Sequence, residues 1–117
     1  MLKRHRSMKD DPVNSNATKE LEEASKLHRL GRRNEALSGY RRYLEVWPND
    51  AGAWAALGGL LLEMGRMEAS REASSKALRL DGSQAAAQVN LANALCGLGR
   101  FGEYEIECRK VLGRIPR

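Results

Sequence analysis

A repeat of 34 residues runs through this chain of 117 residues. The pair Gly-Arg begins at Gly31, Gly65 and Gly99, so that each occurrence follows the previous one by 34 residues. Four further columns share the same spacing, and they comprise Pro48, Gly82 and Pro116; Ala24, Gly58 and Ala92; Leu27, Leu61 and Leu95; and Leu44, Leu78 and Leu112. A fixed period of this length is typical of folds in which each repeat is one supersecondary unit stacked on its neighbours.

Each repeat is predicted to form two helices joined by a turn at the glycine. In the second repeat, Trp54, Leu57 and Leu61 recur at the spacing of one face of an amphipathic helix. Gly65 can adopt the left-handed conformation that commonly ends a helix, and a second apolar series over residues 69–80 predicts the next one. Val, Ile and Thr are scarce, whereas Ala, Leu, Glu and Arg are abundant. This composition favours helices over sheets, so we predict an all-α fold.

The period and the signature residues resemble the tetratricopeptide repeat (TPR) family, whose pattern is W-x2-L-G-x2-Y followed by Ala, an aromatic residue and Pro. The matching residues are Trp54, Leu57, Gly58 and Leu61 in the second repeat and Ala36, Tyr40 and Pro48 in the first. The resemblance implies three tandem helix-turn-helix repeats at about 17–50, 51–84 and 85–117, which together form a TPR domain over 17–117. It also implies a right-handed superhelical stack of these repeats, an α-solenoid.

Two terminal repeats depart from the family pattern. The first has Glu20 and Glu23 where the signature has Trp and Leu, and this fits a polar capping helix with one side facing water. The third has Gln88 in place of Trp and Tyr104 in place of the small Ala. Because of Tyr104, the family pattern does not by itself predict how the last hairpin packs.

Residues 1–16 precede the repeats and lack apolar periodicity. We expect a mobile leader there, with Asn14 or Asn16 capping the first helix. A secretory signal needs an apolar stretch that this segment does not contain. The longest uncharged apolar run, residues 51–62, is shorter than the roughly 20 residues that span a bilayer. The sequence thus predicts a soluble, cytoplasmic protein.

Candidate catalytic and metal-binding residues do not form a recognisable motif. Neither His5 nor His28 has a partner at a spacing that would suit a catalytic triad. Cys96 and Cys108 form no CxxC motif and have no paired histidine. The G-x-G-x-x-G match at 97–102 follows a predicted helix, whereas a dinucleotide site needs a preceding strand. We therefore predict no catalysis, no metal and no cofactor.

The family resemblance implies a concave groove lined by the first helix of each repeat, in which a peptide or a partner protein binds. The groove-facing residues that it assigns are Leu21, Ser25 and His28 in the first repeat; Ala55, Ala56, Gly59, Leu62 and Glu63 in the second; and Ala86, Val89, Asn90 and Asn93 in the third. Side-chain amides can donate to and accept from a peptide backbone. The alternative is that the small residues only allow the helices to pack closely.

Some TPR domains bind chaperone C-termini through a clamp of Lys, Arg and Asn on these helices. The residues at the matching columns of this chain are Leu21, Ser25, Ala56, Ala86 and Asn90. Only Asn90 fits the clamp, and no cation is left to pair with a terminal carboxylate. The sequence therefore predicts no useful affinity for acidic chaperone C-termini.

Three further interpretations remain open. The chain could be the interaction arm of a larger enzyme or complex, such as a glycosyltransferase. It has 20 Lys and Arg against 15 Asp and Glu, a net charge of +5, so RNA could bind basic residues of the second helices such as Arg41 and Arg42. The excess charge is spread out, which makes nucleic acid a weak prediction. Finally, Ile106 is predicted to face outward near the C-terminal end, where a weak homodimer could form.

Overall fold

The computed structural model describes the backbone of residues 12–114 and the side chains of residues 18–107, 109 and 110. Every regular element in this range is a helix, which confirms the all-α prediction. The six helices are α1 (Pro12–Arg29), α2 (Arg33–Val46), α3 (Ala51–Glu63), α4 (Met67–Leu80), α5 (Ala85–Gly97) and α6 (Phe101–Arg114). None of these helices is long and apolar enough to cross a membrane.

The chain divides after Pro48 into two compact units. Unit 1 contains the helical hairpin α1–α2, and unit 2 contains the hairpins α3–α4 and α5–α6. Helix α3 begins at Ala51 and α5 at Ala85, which are the predicted first residues of the second and third repeats. Asp50 caps α3, because its Oδ1 accepts a hydrogen bond from the Ala53 backbone N–H at 3.1 Å.

The three glycines of the Gly-Arg pairs end the first helix of each hairpin in the same way. Their φ angles are +81° at Gly31, +78° at Gly65 and +73° at Gly99, a backbone region that side chains with a Cβ rarely adopt. The N–H of the following arginine donates back to the helix, as in the 2.9 Å bond from Arg66 to the carbonyl of Leu61. The left-handed turn that the sequence predicts is thus confirmed in all three hairpins.

Unit 1 packs α1 against α2 through small and aromatic residues. A Cβ added to Gly39 would lie 2.9 Å from the Cβ of Ala24, so the absence of a side chain at Gly39 lets the two helices approach closely. Tyr40 is 1% exposed, and its hydroxyl lies 3.2 Å from Nδ1 of His28 on α1. His28 therefore contributes to the packing of this hairpin.

In unit 2, the close contact between α3 and α4 centres on Gly58. Ser70 Oγ donates a 2.7 Å hydrogen bond to the Gly58 carbonyl, and both Ser70 and Ser74 are completely buried. A Cβ on Gly58 would lie 2.5 Å from Ser74 Oγ. The α3–α4 hairpin therefore depends on the lack of a side chain at position 58, which explains the small residue in this column.

A group of ion pairs joins α4 to the turn between α5 and α6. Arg100 Nη1 donates to Glu68 at 3.1 Å, and Arg71 also donates to Glu68 from the same helix. The hydrogen bond from Arg71 and the positive charges of Arg71 and Arg100 lower the pKa of Glu68 below its usual value. Any stabilisation by this carboxylate is present above its unfolded pKa and is lost as the pH falls through its lowered folded pKa.

The structure corrects the predicted start of the first helix. Helix α1 begins at Pro12, so Asn14 and Asn16 lie inside the helix and neither of them is its N-cap. Proline suits a first helical position because its missing N–H would be unpaired there in any case. The polar character of residues 12–16 concealed the helix, and residues 1–11 of the predicted mobile leader lie outside the described range.

Candidate peptide-binding surface

Helices α3 and α5 pack side by side in unit 2, and Asn90 links them. The Nδ2 atom of Asn90 donates a 3.1 Å hydrogen bond to the backbone carbonyl of Ala55. A Cβ on Gly59 would lie 3.3 Å from the same Nδ2 atom, so Asn90 rests directly on the glycine. The small residues of α3 therefore position α5 through this amide.

Six of the predicted ligand contacts form an accessible face of this helix pair, which we call the α3/α5 surface. Its members are Ala56, Gly59 and Leu62 on α3, which are half-buried, and Ala86, Val89 and Asn93 on α5, which are exposed. Val89 is 58% exposed. The α5 members follow the spacing of a single helical face, with Asn90 between them.

The α3/α5 surface is nearly free of charge. Between their first and last residues, α3 and α5 contain no Lys or Arg, and Glu63 at the end of α3 is their only carboxylate. A terminal carboxylate of a ligand would thus lose its hydration without gaining a cationic partner on these helices. The arrangement suits apolar side chains and backbone amides, which Asn93 can bind as donor and acceptor.

Two of the predicted contacts have a packing role. Ala55 is 3% exposed and forms a buried cluster with Ala77 and Ala87, so its assignment as a ligand contact is corrected. Its carbonyl also accepts the bond from Asn90. Asn90 is half-buried and has committed one amide N–H to that bond, which leaves Asn93 as the fully exposed amide. Both residues therefore contribute to the packing of α3 and α5, and the role of Asn90 as a ligand contact stays a prediction.

Leu21 and Ser25 lie on α1, in unit 1, and both are half-buried. Ser25 Oγ is 3.5 Å from the hydroxyl of Tyr40, which links it to the α1–α2 hairpin. Their role as ligand contacts stays a prediction. Within residues 12–114, the His, Cys, Asp and Glu side chains form no group that could bind a metal ion.

Helical hairpins that turn at left-handed glycines and recur every 34 residues define a helical repeat protein. Residues 51–84 match the family model described as tetratricopeptide repeat. The chain therefore contains a tetratricopeptide repeat at residues 51–84, and the resemblance that the sequence pattern predicted is confirmed. This fold is that of a protein–protein interaction module, and members of the family are generally non-catalytic.

Comparisons with individual proteins agree with this assignment. Over 70 residues, 60% of this chain, it is 34% identical to Superkiller protein 3 of Saccharomyces cerevisiae; the match spans 5% of that protein's length. A solved structure of the second TPR of Spaghetti (RPAP3), bound to the HSP90 peptide SRMEEVD, has a TM-score of 0.76 at 23% identity, covering 82% of this chain and 89% of that one. The Arabidopsis OM64 TPR domain has a TM-score of 0.78 at 17% identity, covering 84% and 81%. The two solved structures show that the fold is shared.

Proposed function

We propose that the α3/α5 surface binds an internal peptide segment of a partner protein, without catalysis. The observation on which this proposal rests is the uncharged, partly apolar face formed by Ala86, Val89 and Asn93 beside α3. Val89 offers apolar area to the ligand and Asn93 offers one donor and one acceptor group. The ligand that fits is an apolar stretch whose own backbone groups can bind the amide, with no charge at the centre of the contact.

A peptide as the class of ligand is supported by the solved TPR structure that contains a bound HSP90 peptide. The likeness to that structure is one of fold, so its ligand chemistry does not transfer to this chain. The peptide SRMEEVD ends in a carboxylate, and α3 and α5 provide no Lys or Arg side chain to pair with it. The proposal therefore concerns an internal segment of the partner.

The peptide SRMEEVD should bind this chain weakly or not at all. We expect a dissociation constant above about 1 mM, which corresponds to less than about 4 kcal/mol of binding free energy. Isothermal titration calorimetry with the peptide and with its C-terminally amidated form tests this expectation. Micromolar binding that disappears on amidation would contradict the proposed charge selectivity.

The proposed activity itself can be tested with a phage-displayed library of random peptides. Immobilised wild-type protein should enrich apolar, weakly charged sequences, and synthetic copies of these should bind with dissociation constants near or below about 100 μM, or about 5.5 kcal/mol. Selection on the variant Ala56→Arg should not enrich the same sequences. If no peptide is enriched on the wild type, or if both proteins enrich the same set, the α3/α5 surface is not the binding site.

One observation speaks against RNA as the alternative ligand. Tyr40 and Tyr43 are 1% and 3% exposed, so these neighbours of Arg41 and Arg42 cannot stack on bases. If the basic residues bound RNA, the affinity would fall steeply with added salt. We expect a titration with generic single-stranded RNA to show no such saturable, salt-sensitive binding. The interpretation as an arm of a larger enzyme is compatible with the same surface.

A further inference from the structure

The described side chains of helix α6 differ in exposure from those of the other helices of unit 2. Among its described side chains, residues 101–107, 109 and 110, none is buried, and Phe101 and Ile106 are 63% and 50% exposed. The repeat register explains this difference: Tyr104 and Glu107 stand where α4 has the buried residues Ser70 and Ala73. These larger side chains prevent the close hairpin packing that Ser70 and Ala73 allow between α3 and α4.

An open cleft of about 230 Å³ lies between α4 and α6. Its apolar lining comes from Leu91 and Leu95 on α5 and from Ile106 on α6. Glu103 and Lys110 lie on the same α6 wall, three residues before and four residues after Ile106. Glu103, Ile106 and Lys110 therefore form one stripe along α6. The exposed fraction is 50% for Glu103, 50% for Ile106 and 56% for Lys110.

The charges of α6 are separated along its length. On the stripe that contains Ile106, Glu103 lies in the acidic first half of the helix and Lys110 lies in the basic second half. If two such helices run antiparallel, the acidic half of each faces the basic half of the other. This arrangement is self-complementary, which is the property that an interface across a two-fold axis requires.

We propose that α6 pairs antiparallel with α6 of a second copy of this chain, about a two-fold axis near Ile106. In this pairing the two Ile106 side chains contact each other, and Glu103 of each copy faces Lys110 of the other. The dimer uses a different surface from that of the proposed peptide ligand and does not depend on it.

The existing partners of these charges do not prevent the pairing. Glu103 accepts a hydrogen bond from Arg100 at 2.9 Å, and Lys110 donates to Glu107 at 3.3 Å. Both ion pairs are exposed and join residues three positions apart in the chain. Such pairs contribute little to stability, so Glu103 and Lys110 can exchange these partners for charges on a second copy. A 14-residue helix is about 21 Å long, so a single helix pair buries less area than a permanent dimer requires. The dimer is therefore weak and dependent on concentration.

Sedimentation equilibrium on the full chain, with charge reversals on α6, tests the proposal. The wild type should dimerise as its concentration rises, and less so at high salt. Glu103→Lys alone and Lys110→Glu alone should each weaken the dimer by about tenfold or more, because each places like charges opposite each other twice. An equimolar mixture of the two variants should form a heterodimer, since its two Glu–Lys pairs are complementary again.

The control variant Glu105→Lys changes the net charge as Glu103→Lys does, but lies on another side of α6 and should dimerise like the wild type. Ile106→Glu should be monomeric with an unchanged helical circular dichroism spectrum. A damaged fold in the single variants cannot account for a heterodimer in the mixture. A wild type that stays monomeric at the highest soluble concentration, single variants that dimerise normally, or a mixture without heterodimer would each overturn the proposal.

Discussion

Replacing Gly58 with alanine should lower the free energy of unfolding by about 1–3 kcal/mol. The new Cβ would lie 2.5 Å from Ser74 Oγ and 3.4 Å from the backbone nitrogen of Ser74. Because Ser74 is completely buried, α3 and α4 must move apart, which also weakens the 2.7 Å bond from Ser70 to the Gly58 carbonyl. The better helix propensity of alanine offsets at most about 1 kcal/mol of this loss. Urea denaturation followed by circular dichroism measures the change.

The second-site variant Ser74→Ala should restore part of the stability lost in Gly58→Ala. It removes the atom nearest the new methyl group, and Ser74 Oγ makes no hydrogen bond to any described residue. The control is Gly102→Ala, where a Cβ meets open space, so that stability should stay the same or rise slightly. Equal destabilisation by Gly58→Ala and Gly102→Ala would show that close α3–α4 packing at Gly58 is not the cause.

The variant Val89→Arg should weaken the binding of peptides selected on the wild type by about 100-fold, or about 2.7 kcal/mol. Val89 is 58% exposed at the centre of the α5 face, so the variant should fold normally. The arginine would bring a charge into a contact in which the only carboxylate of the two helices is Glu63, at the end of α3. Fluorescence anisotropy with a labelled selected peptide measures the loss.

A matched control for this variant is Ser38→Arg, which adds the same charge at an exposed position on α2. Its affinity for the labelled peptide should stay within about twofold of the wild type, which is about 0.4 kcal/mol. If Ser38→Arg weakens binding as much as Val89→Arg, the added charge acts at long range and the peptide does not contact Val89. If the variant Val89→Arg binds the peptide with wild-type affinity, the peptide likewise does not contact Val89.

The turns, and with them the order of the hairpins, could be predicted from the sequence because each turn needs a glycine at one position. A backbone φ near +75° favours glycine, so Gly31, Gly65 and Gly99 mark the ends of three helices by identity alone. The apolar period then assigns a helix to either side of each turn. The start of α1 could not be found in this way, because residues 12–16 contain one aliphatic side chain, Val13, and so have no apolar period.

The candidate site was predicted in part. Ala55 and Ala56 are consecutive alanines, and only the structure shows that Ala55 turns into the core while Ala56 stays accessible. The bond from Asn90 to the Ala55 carbonyl joins residues 35 apart, and it depends on the distance between α3 and α5, which no local pattern encodes. Asn90 shares its column with Glu22 and Ala56, so the repeat register gave no signal for this bond.

The most direct test of the α3/α5 surface is an NMR titration of ¹⁵N-labelled protein with a peptide selected on the wild type. The account predicts that the largest chemical-shift changes fall on the backbone amides of Ala56, Gly59, Val89 and Asn93 and on the side-chain amide of Asn93. Amides of α4 and α6, including those of Arg79 and Ile106, should change little. Saturable changes confined to α4 or α6, with the amides of Val89 and Asn93 unchanged, would contradict the account.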